Sequence, residues 1–349
     1  MTPIRLTQFS HGAGCGCKIA PAVLDTILKS NNLSPAHPKL LVGNHSKDDA
    51  AVYDLENGMA LISTTDFFTP IVDDAFAFGK IAGANAISDV YAMGGKPILA
   101  IAILGWPVDK LPPELAQQVL EGARAICEDA GIPLAGGHSI DTPEPIFGLS
   151  VNGLVAISHL KQNNTAAEGD LLFLTKPIGI GILSTAQKRD VLKEEHLALM
   201  LAQLSQLNKV GEALGKITGV HAMTDVTGFG LLGHLIEMAE GSGLSAQLNY
   251  AKTPILDEAK EYLVQRIVPD ATYRNWNGYS SKVDFASGVN VMEAFSILPD
   301  PQTNGGLLIA VSPDAVPEVQ KVLAEYGLAD FIEPIGMMSA SAEKVVSVS

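Results

Sequence analysis

Two cysteines and a lysine lie inside a run of glycines near the start of the chain, Gly12-Ala-Gly-Cys15-Gly-Cys17-Lys18. A thiolate is a strong nucleophile, and a nearby cation lowers its pKa. Lys18 is close enough in sequence to play that part, or to meet a phosphate as a point charge. The small residues around them predict a mobile loop. Two other readings stay open on this motif alone. One is a surface loop with incidental cysteines. The other is a metal site, where Cys15 and Cys17 supply two thiolates and structural zinc takes four ligands; His11 and Cys127 are the remaining candidates.

Carboxylates form the second set: Asp48-Asp49, Asp66, Asp89 and Asp225. Mg²⁺ takes carboxylate oxygens, usually from one or two side chains beside nucleotide phosphates. Asp66 closes the run Leu61-Ile-Ser-Thr-Thr-Asp66 and Asp225 closes Ala222-Met-Thr-Asp225. Each is therefore expected at the tip of an apolar strand, where α/β active sites lie. Asn85 and Asp89, four apart on a predicted helix, share one face. Taken singly, each aspartate reads more readily as a cap or turn residue; five such positions in apolar surroundings shift the balance modestly toward a site. Gly136-Gly137-His138-Ser139 follows a predicted short strand and reads either as a phosphate or ribose contact or as a plain tight turn. Gly228-Phe-Gly230-Leu-Leu-Gly233 matches a dinucleotide fingerprint, but no acidic residue stands about 20 positions on. The preceding Thr224-Asp-Val-Thr227 is also polar where such a strand should be apolar. These glycines are expected to let a helix pack closely, with its N-terminus near bound anions. There is no Gly-x-x-x-x-Gly-Lys-[Ser/Thr] loop, so any ATP chemistry must neutralise phosphate mainly through metal ions.

The elements that must carry these residues follow from patterning. A length of 349 residues predicts two domains. The predicted elements are strands at 50–53 and 59–65 around Glu56-Asn-Gly58, helix 77–93, strand 97–104, helix 113–130, and strands 133–135 and 147–157. The polar stretch Ser158–Gly169 is the expected boundary. Beyond it come strand 170–175, helix 195–215, strand 221–225, helix 229–239, strand 306–311 and helix 317–326. A further helix is expected over Ala20–Ser30, and Arg274–Gly288 reads as an exposed loop. The expected organisation is a catalytic loop at 1–18, an N-terminal domain at 19–157 and a C-terminal domain at 170–349. The fold class is α+β, with a doubly wound sheet as the competing arrangement. The net charge of −15, with no basic stripe, argues against nucleic acid as a partner. Three cysteines do not make a disulfide framework, and a reducing cytoplasm is the natural compartment. The opening residues lack a signal-peptide run, and the apolar stretch Pro97–Val108 is too short to span a bilayer, so no membrane partner is expected.

Six motifs carry a resemblance that goes further. They are Gly14-Cys-Gly-Cys-Lys18, Ser63-Thr-Thr-Asp66-Phe-Phe, Asn85-Ala-Ile-Ser-Asp89-Val-Tyr-Ala-Met-Gly-Gly-Lys-Pro97, Ala135-Gly-Gly-His-Ser-Ile140, Thr224-Asp-Val-Thr-Gly-Phe-Gly-Leu-Leu-Gly-His234 and Asp300-Pro-Gln-Thr-Asn-Gly-Gly306. In order, from Thr7 to beyond Gly306, the chain resembles the bacterial selenophosphate synthetase (selenide, water dikinase) family, in the superfamily of aminoimidazole-ribotide synthetase. The resemblance implies ATP-dependent phosphorylation of selenide, giving selenophosphate, AMP and phosphate for selenocysteine and selenouridine synthesis. It implies Cys15 and Lys18 as catalytic residues, and Asp49, Asp89 and Asp225 as Mg²⁺ ligands. Nucleotide contacts would come from Lys18, Ser46, Lys47, Asp48, Asp66, Asp89, Gly137, His138 and Ser139. It further implies two α/β-sandwich-like domains, a homodimer whose N-terminal domains form a β-barrel, and a selenium-delivery protein as a further partner. The sequence departs from the family at Asn304, where Ser is usual, and at Lys47, where Arg is expected; Lys keeps the charge but loses the bidentate fork.

Overall fold

The computed structural model describes residues 4–19, 23, 26, 27, 37–43 and 48–349. Most of the helix expected over 20–30 lies outside the described residues, as do Ser46 and Lys47.

Residues 40–156 build one sheet and residues 171–348 another. The first has six strands: β1 (Leu40–Val42), β2 (Ala51–Asp54), β3 (Met59–Phe68), β4 (Lys96–Trp106), β5 (Leu134–Asp141) and β6 (Ile146–Ala156). They lie in the order β1-β2-β3-β6-β4-β5. All neighbours are antiparallel except β4 and β5. The second sheet has seven strands and is also mixed, with β8 (Val220–Asp225) at one edge beside β11 (Leu307–Val311). Mixed sheets in both halves bear out the α+β reading over the doubly wound one.

Alternation explains the first sheet. Along β3, Ala60, Ile62, Thr64 and Phe68 are buried, while Ser63, Thr65 and Phe67 are exposed. One face is therefore covered, by α1 (Ala75–Ala92) and α2 (Pro113–Ala130). α1 is apolar around most of its circumference and 15 of its 18 residues are buried. Such a helix must be enclosed on all sides. It packs on β3 and β6, on α2, and on β8 of the second sheet, so it is the shared wall between the two halves. The Asp74 carboxylate caps it, accepting from the Ala77 amide. Crossing with α2 is close because Gly79 and Gly122 lie there: a Cβ on either would fall within 2 Å of a carbonyl oxygen of the other helix.

Several expected elements need correction. Glu195–Gly215 is not one helix but two, Glu194–Leu204 and Val210–Gly215. The break has a cause: the Asn304 amide donates to the Leu204 and Gln206 carbonyls and the Lys176 ammonium donates to Gln206, so side chains take the place of helical donors. The exposed loop expected at Arg274–Gly288 is largely helix and strand, Asp270–Tyr279 and Val283–Phe285. Its Asn, Ser and Gly content hid a buried stripe at Ala271, Thr272, Asn275 and Tyr279. Gly136–Ser139 is not a turn: it lies inside β5. Asp66 does not end its strand either, since β3 runs on to Phe68 and pairs with β6 throughout.

The segment Asp300–Gly306 anchors the second half. Asp300 and Gln302 cap the helix Ile180–Lys188, accepting from Gly181 and from Gly179 and Ile180. Burial pushes the Asp300 carboxyl up to about 8, against the pull of its hydrogen bonds. Unfolded, it would ionise near 4. The folded state thus holds an extra proton between those values, and stability falls as pH rises through that window, by at most ~1.4 kcal/mol per pH unit. Asp300→Asn keeps an acceptor for the same donors and is expected to flatten the slope, seen as a smaller difference between urea midpoints at pH 5 and pH 8.

Candidate active site

Two periodicities bring the first groups together. Thr64 and Asp66 are two apart on β3 and share its helix-facing side, while Asn85 and Asp89 are four apart on α1. Thr64 donates to Asp89, and Asn85 donates to Asp66. That donor is the Asn85 Nδ2 amine; its Oδ1 accepts from the Cys15 thiol at 3.3 Å and from the Asn304 backbone amide at 2.7 Å. Asn85 therefore ties together strand, glycine-rich loop and the Asp300–Gly306 segment. The sequence had placed Asn85 only on Asp89's face; its role as hub depends on contacts more than 200 residues apart in the chain.

The loop is seated, not extended. Gly14 pairs with Thr69 and has φ +52, a conformation that favours glycine. The Cys15 amide donates to Thr303 at 3.0 Å, and Cys15 is 1 % exposed. Lys188 donates to the carbonyls of Ser10, His11 and Gly12, and Arg274 donates to that of Gly16. Lys18 reaches Thr227 at 3.4 Å and stands over the Phe229 ring. The residue keeps surface open to solvent, yet its nitrogen is densely surrounded. Burial opposes its charge, but Asp66, Cys15, Asp89 and Asp225 outweigh burial and raise its pKa above the ordinary lysine range.

The first glycine of the Gly228–Gly233 run serves this seating, a role the sequence did not suggest. A Cβ at Gly228 would stand 2.6 Å from the Cys15 carbonyl oxygen and 3.0 Å from Lys18 Cδ. Gly228→Ala must displace the loop backbone. It is expected to lower turnover about 100-fold, as a misplacement near 1 Å does, with the melting temperature nearly unchanged. Faster alkylation of Cys15, followed by peptide mass, checks it; unchanged alkylation and turnover would contradict the seating. Just beyond, the Thr227 amide donates to His234 Nε2 at 3.1 Å. Burial and Lys18 push His234 down to about 3, so the imidazole is neutral and acts as an acceptor.

The carboxylates converge opposite Lys18. Asp225 ends β8, as expected, and is 1 % exposed. Thr224 beside it donates to Asp49 at 2.8 Å, bridging the two halves. Asp48 accepts from the amides of Asp49 and Asn163. Burial, opposed by those bonds, pushes Asp48 up to about 7. Asp49 and Asp89 are raised well above the carboxylate range, first by burial and then by Asp225 and further acids. Asp225 is pushed up to about 6 by burial, with Ser88 and Lys18 pulling the other way. Lys18 and Lys176, the latter pushed down to about 7 by burial, do not neutralise this group, and it favours either protons or a cation. Asp49 Oδ2 and Asp225 Oδ2 are buried with no hydrogen-bond partner among the described residues. Hard oxygen donors left unpaired in this way fit a divalent cation such as Mg²⁺. Among the described residues, however, no three His, Cys, Asp or Glu side chains stand together so as to hold a cation by themselves, so a cation would need water or phosphate oxygens as well.

Gly137, His138 and Ser139 are not with this group. They lie exposed on edge strand β5, roughly 14 Å from β3 at three strand spacings. Cys127, weighed as a zinc ligand, is buried in α2, where burial pushes its thiol up to about 11.

Two family models cover most of the chain: AIR synthase related protein, N-terminal domain, at residues 47–155, and its C-terminal domain at residues 167–349. The chain is 58 % identical over 340 residues to the selenide, water dikinase of Aeromonas hydrophila, covering 97 % of each. It is 56 % identical over 346 residues to that of Pseudomonas putida, covering 99 % of each. A thiamine-monophosphate kinase structure from Stenotrophomonas maltophilia superposes with a TM-score of 0.65 at 19 % identity, over 90 % of this chain and 92 % of that one, and shows the shared fold. A match at this identity along nearly the full length, with the Cys15–Lys18 loop seated over buried carboxylates, places the chain in the selenide, water dikinase family of AIR synthase related proteins.

Proposed function

We propose that this chain phosphorylates selenide with ATP, releasing selenophosphate, AMP and phosphate, and that Cys15 and Lys18 act with Asp49, Asp89 and Asp225 in doing so. The observation that carries the reading is the position of Cys15 and Lys18: one short loop sets a thiol and an ammonium against an excess of buried carboxylates. Asp49, Asp89 and Asp225 would hold Mg²⁺, which supplies charge neutralisation for the triphosphate.

The residues' own tasks follow. Cys15 delivers or orients selenide, with Asn85 Oδ1 fixing its thiol. Selenium attacks the γ-phosphorus, the P–Se bond forms, and the bond to ADP breaks. Lys18 balances the charge gathering on the transferred oxygens. The seated loop keeps bulk water out during that transfer; water then attacks the remaining β-phosphorus, giving phosphate and AMP. Asp66, Asp48 and the segment Ser46-Lys47 are proposed nucleotide contacts.

A homodimer fits the uncovered face of the first sheet. Tyr53, Phe67, Ile101 and Ile140 are all more than a third exposed there, and such a face invites a partner. Gly137, His138 and Ser139 would then reach nucleotide from a strand that closes the barrel. Sedimentation at the monomer mass at micromolar concentration would remove this part. The function itself is tested by anaerobic incubation with ATP, Mg²⁺ and selenide. AMP formed only when selenide is present supports it, whereas ADP as the sole nucleotide product would assign a simpler kinase of the same superfamily.

A further inference from the structure

A cavity of about 330 Å³ opens beside the Cys15 loop, and none of the carboxylates of the active site lines it. Its polar walls include Ser184, Lys188, Arg189, Asp270, Arg274 and Thr303. Three cations against one lining acid, with Glu144 acting on Lys188 from outside the walls, leave it locally positive, in a chain whose net charge is −15. Lys188 and one arm of Arg274 donate to loop carbonyls, which accept hydrogen bonds but bring no neutralising charge. Arg189, at the end of the helix Ile180–Lys188, is exposed, and its guanidinium has no ion pair or hydrogen bond among the described residues. Thr303 accepts from the Cys15 amide, which leaves its hydroxyl proton to donate. Forked donors around a hollow of this size suit a tetrahedral oxyanion with its waters.

We propose that this cavity binds a phosphate-class oxyanion, held by Arg189 and Arg274, at a place separate from the nucleotide site. Two sources share that chemistry: inorganic phosphate, and a phosphoryl product carrying a chalcogen atom. The site does not depend on the catalytic reading, because binding is measured without turnover.

The test is phosphorus line broadening of inorganic phosphate titrated with the full chain. Mg²⁺ and a non-hydrolysable ATP analogue are present at saturation, so that the nucleotide site is filled. The expected result is broadening that Arg189→Ala weakens about tenfold or more, the loss of one charge-assisted contact, and that Arg189→Lys partly retains. The Arg189 side chain makes no hydrogen bond or ion pair among the described residues, so a folded variant is expected, and its melting temperature verifies that. Absence of broadening, or broadening indifferent to Arg189→Ala, overturns the proposal. A parallel titration with thiophosphate identifies the source: tighter binding than phosphate points to the chalcogen-bearing product, and equal or weaker binding points to inorganic phosphate.

Discussion

Replacing Cys15 by Ser is expected to lower selenide-dependent AMP formation at least about 100-fold, or ~3 kcal/mol of barrier, with the melting temperature unchanged within about 2 °C. The two halves of this expectation have separate causes. Ser is nearly isosteric, and its hydroxyl can donate to Asn85 Oδ1 where the thiol did. The amide at position 15 still reaches Thr303, and Lys188 and Arg274 still hold the loop by its carbonyls. The seat therefore survives. The soft, ionisable sulfur does not, and an unactivated hydroxyl cannot replace a thiolate as nucleophile or selenium ligand. Steady-state assay beside a thermal melt checks both halves. Full activity in a folded Cys15→Ser protein would remove Cys15 from the chemistry and leave the loop with Lys18 alone.

Asp225→Asn is expected to abolish turnover by a similar factor and to change stability in the opposite sense. Asp225 is raised to about 6 by burial, so at pH 8 it is charged among acids that resist its charge. Neutralising it relieves that repulsion. Without Mg²⁺, the variant should melt roughly 1–2 °C higher than the parent, the shift that about 1 kcal/mol gives in a protein of this size. With Mg²⁺, the order should reverse, because a cation stabilises only the form that holds it. Thermal melts at pH 8 with and without Mg²⁺ read this directly. A parent protein indifferent to Mg²⁺, or a variant that gains as much from it, would take Asp225 out of the cation site. The unpaired oxygens of Asp49 and Asp225 make neither outcome expected.

Much of the fold was legible where its signals are local. α2 carries Pro at its start and Gly131 after its end, and it runs over the expected Pro113–Ala130. β8 ends at Asp225 as its apolar run predicted. Asp66 was misread as a strand tip because a polar residue in an apolar run looks like an end; in fact its side chain faces α1, where Asn85 satisfies it. Gly136–Ser139 misled in the same way, since an exposed edge strand tolerates glycine and has no apolar alternation to show. The break after Leu204 was invisible because its cause, Asn304, lies 100 residues away. Asn304 also answers its own departure from the family: it has φ +47, a conformation that Asn tolerates well. Seating of the loop by Lys188, Arg274 and Thr303 rests entirely on such long-range contacts. The motifs named the chemistry of Cys15 and Lys18, but only the fold shows what holds them.

The central claim, transfer of the γ-phosphoryl group to selenium, is tested most directly by the phosphorus spectrum of the complete anaerobic reaction run with ⁷⁷Se-enriched selenide. A new phosphorus resonance split by coupling to selenium, growing in step with AMP, is the predicted result. AMP and phosphate accumulating with no selenium-coupled resonance, or ATP consumed to ADP alone, would contradict it.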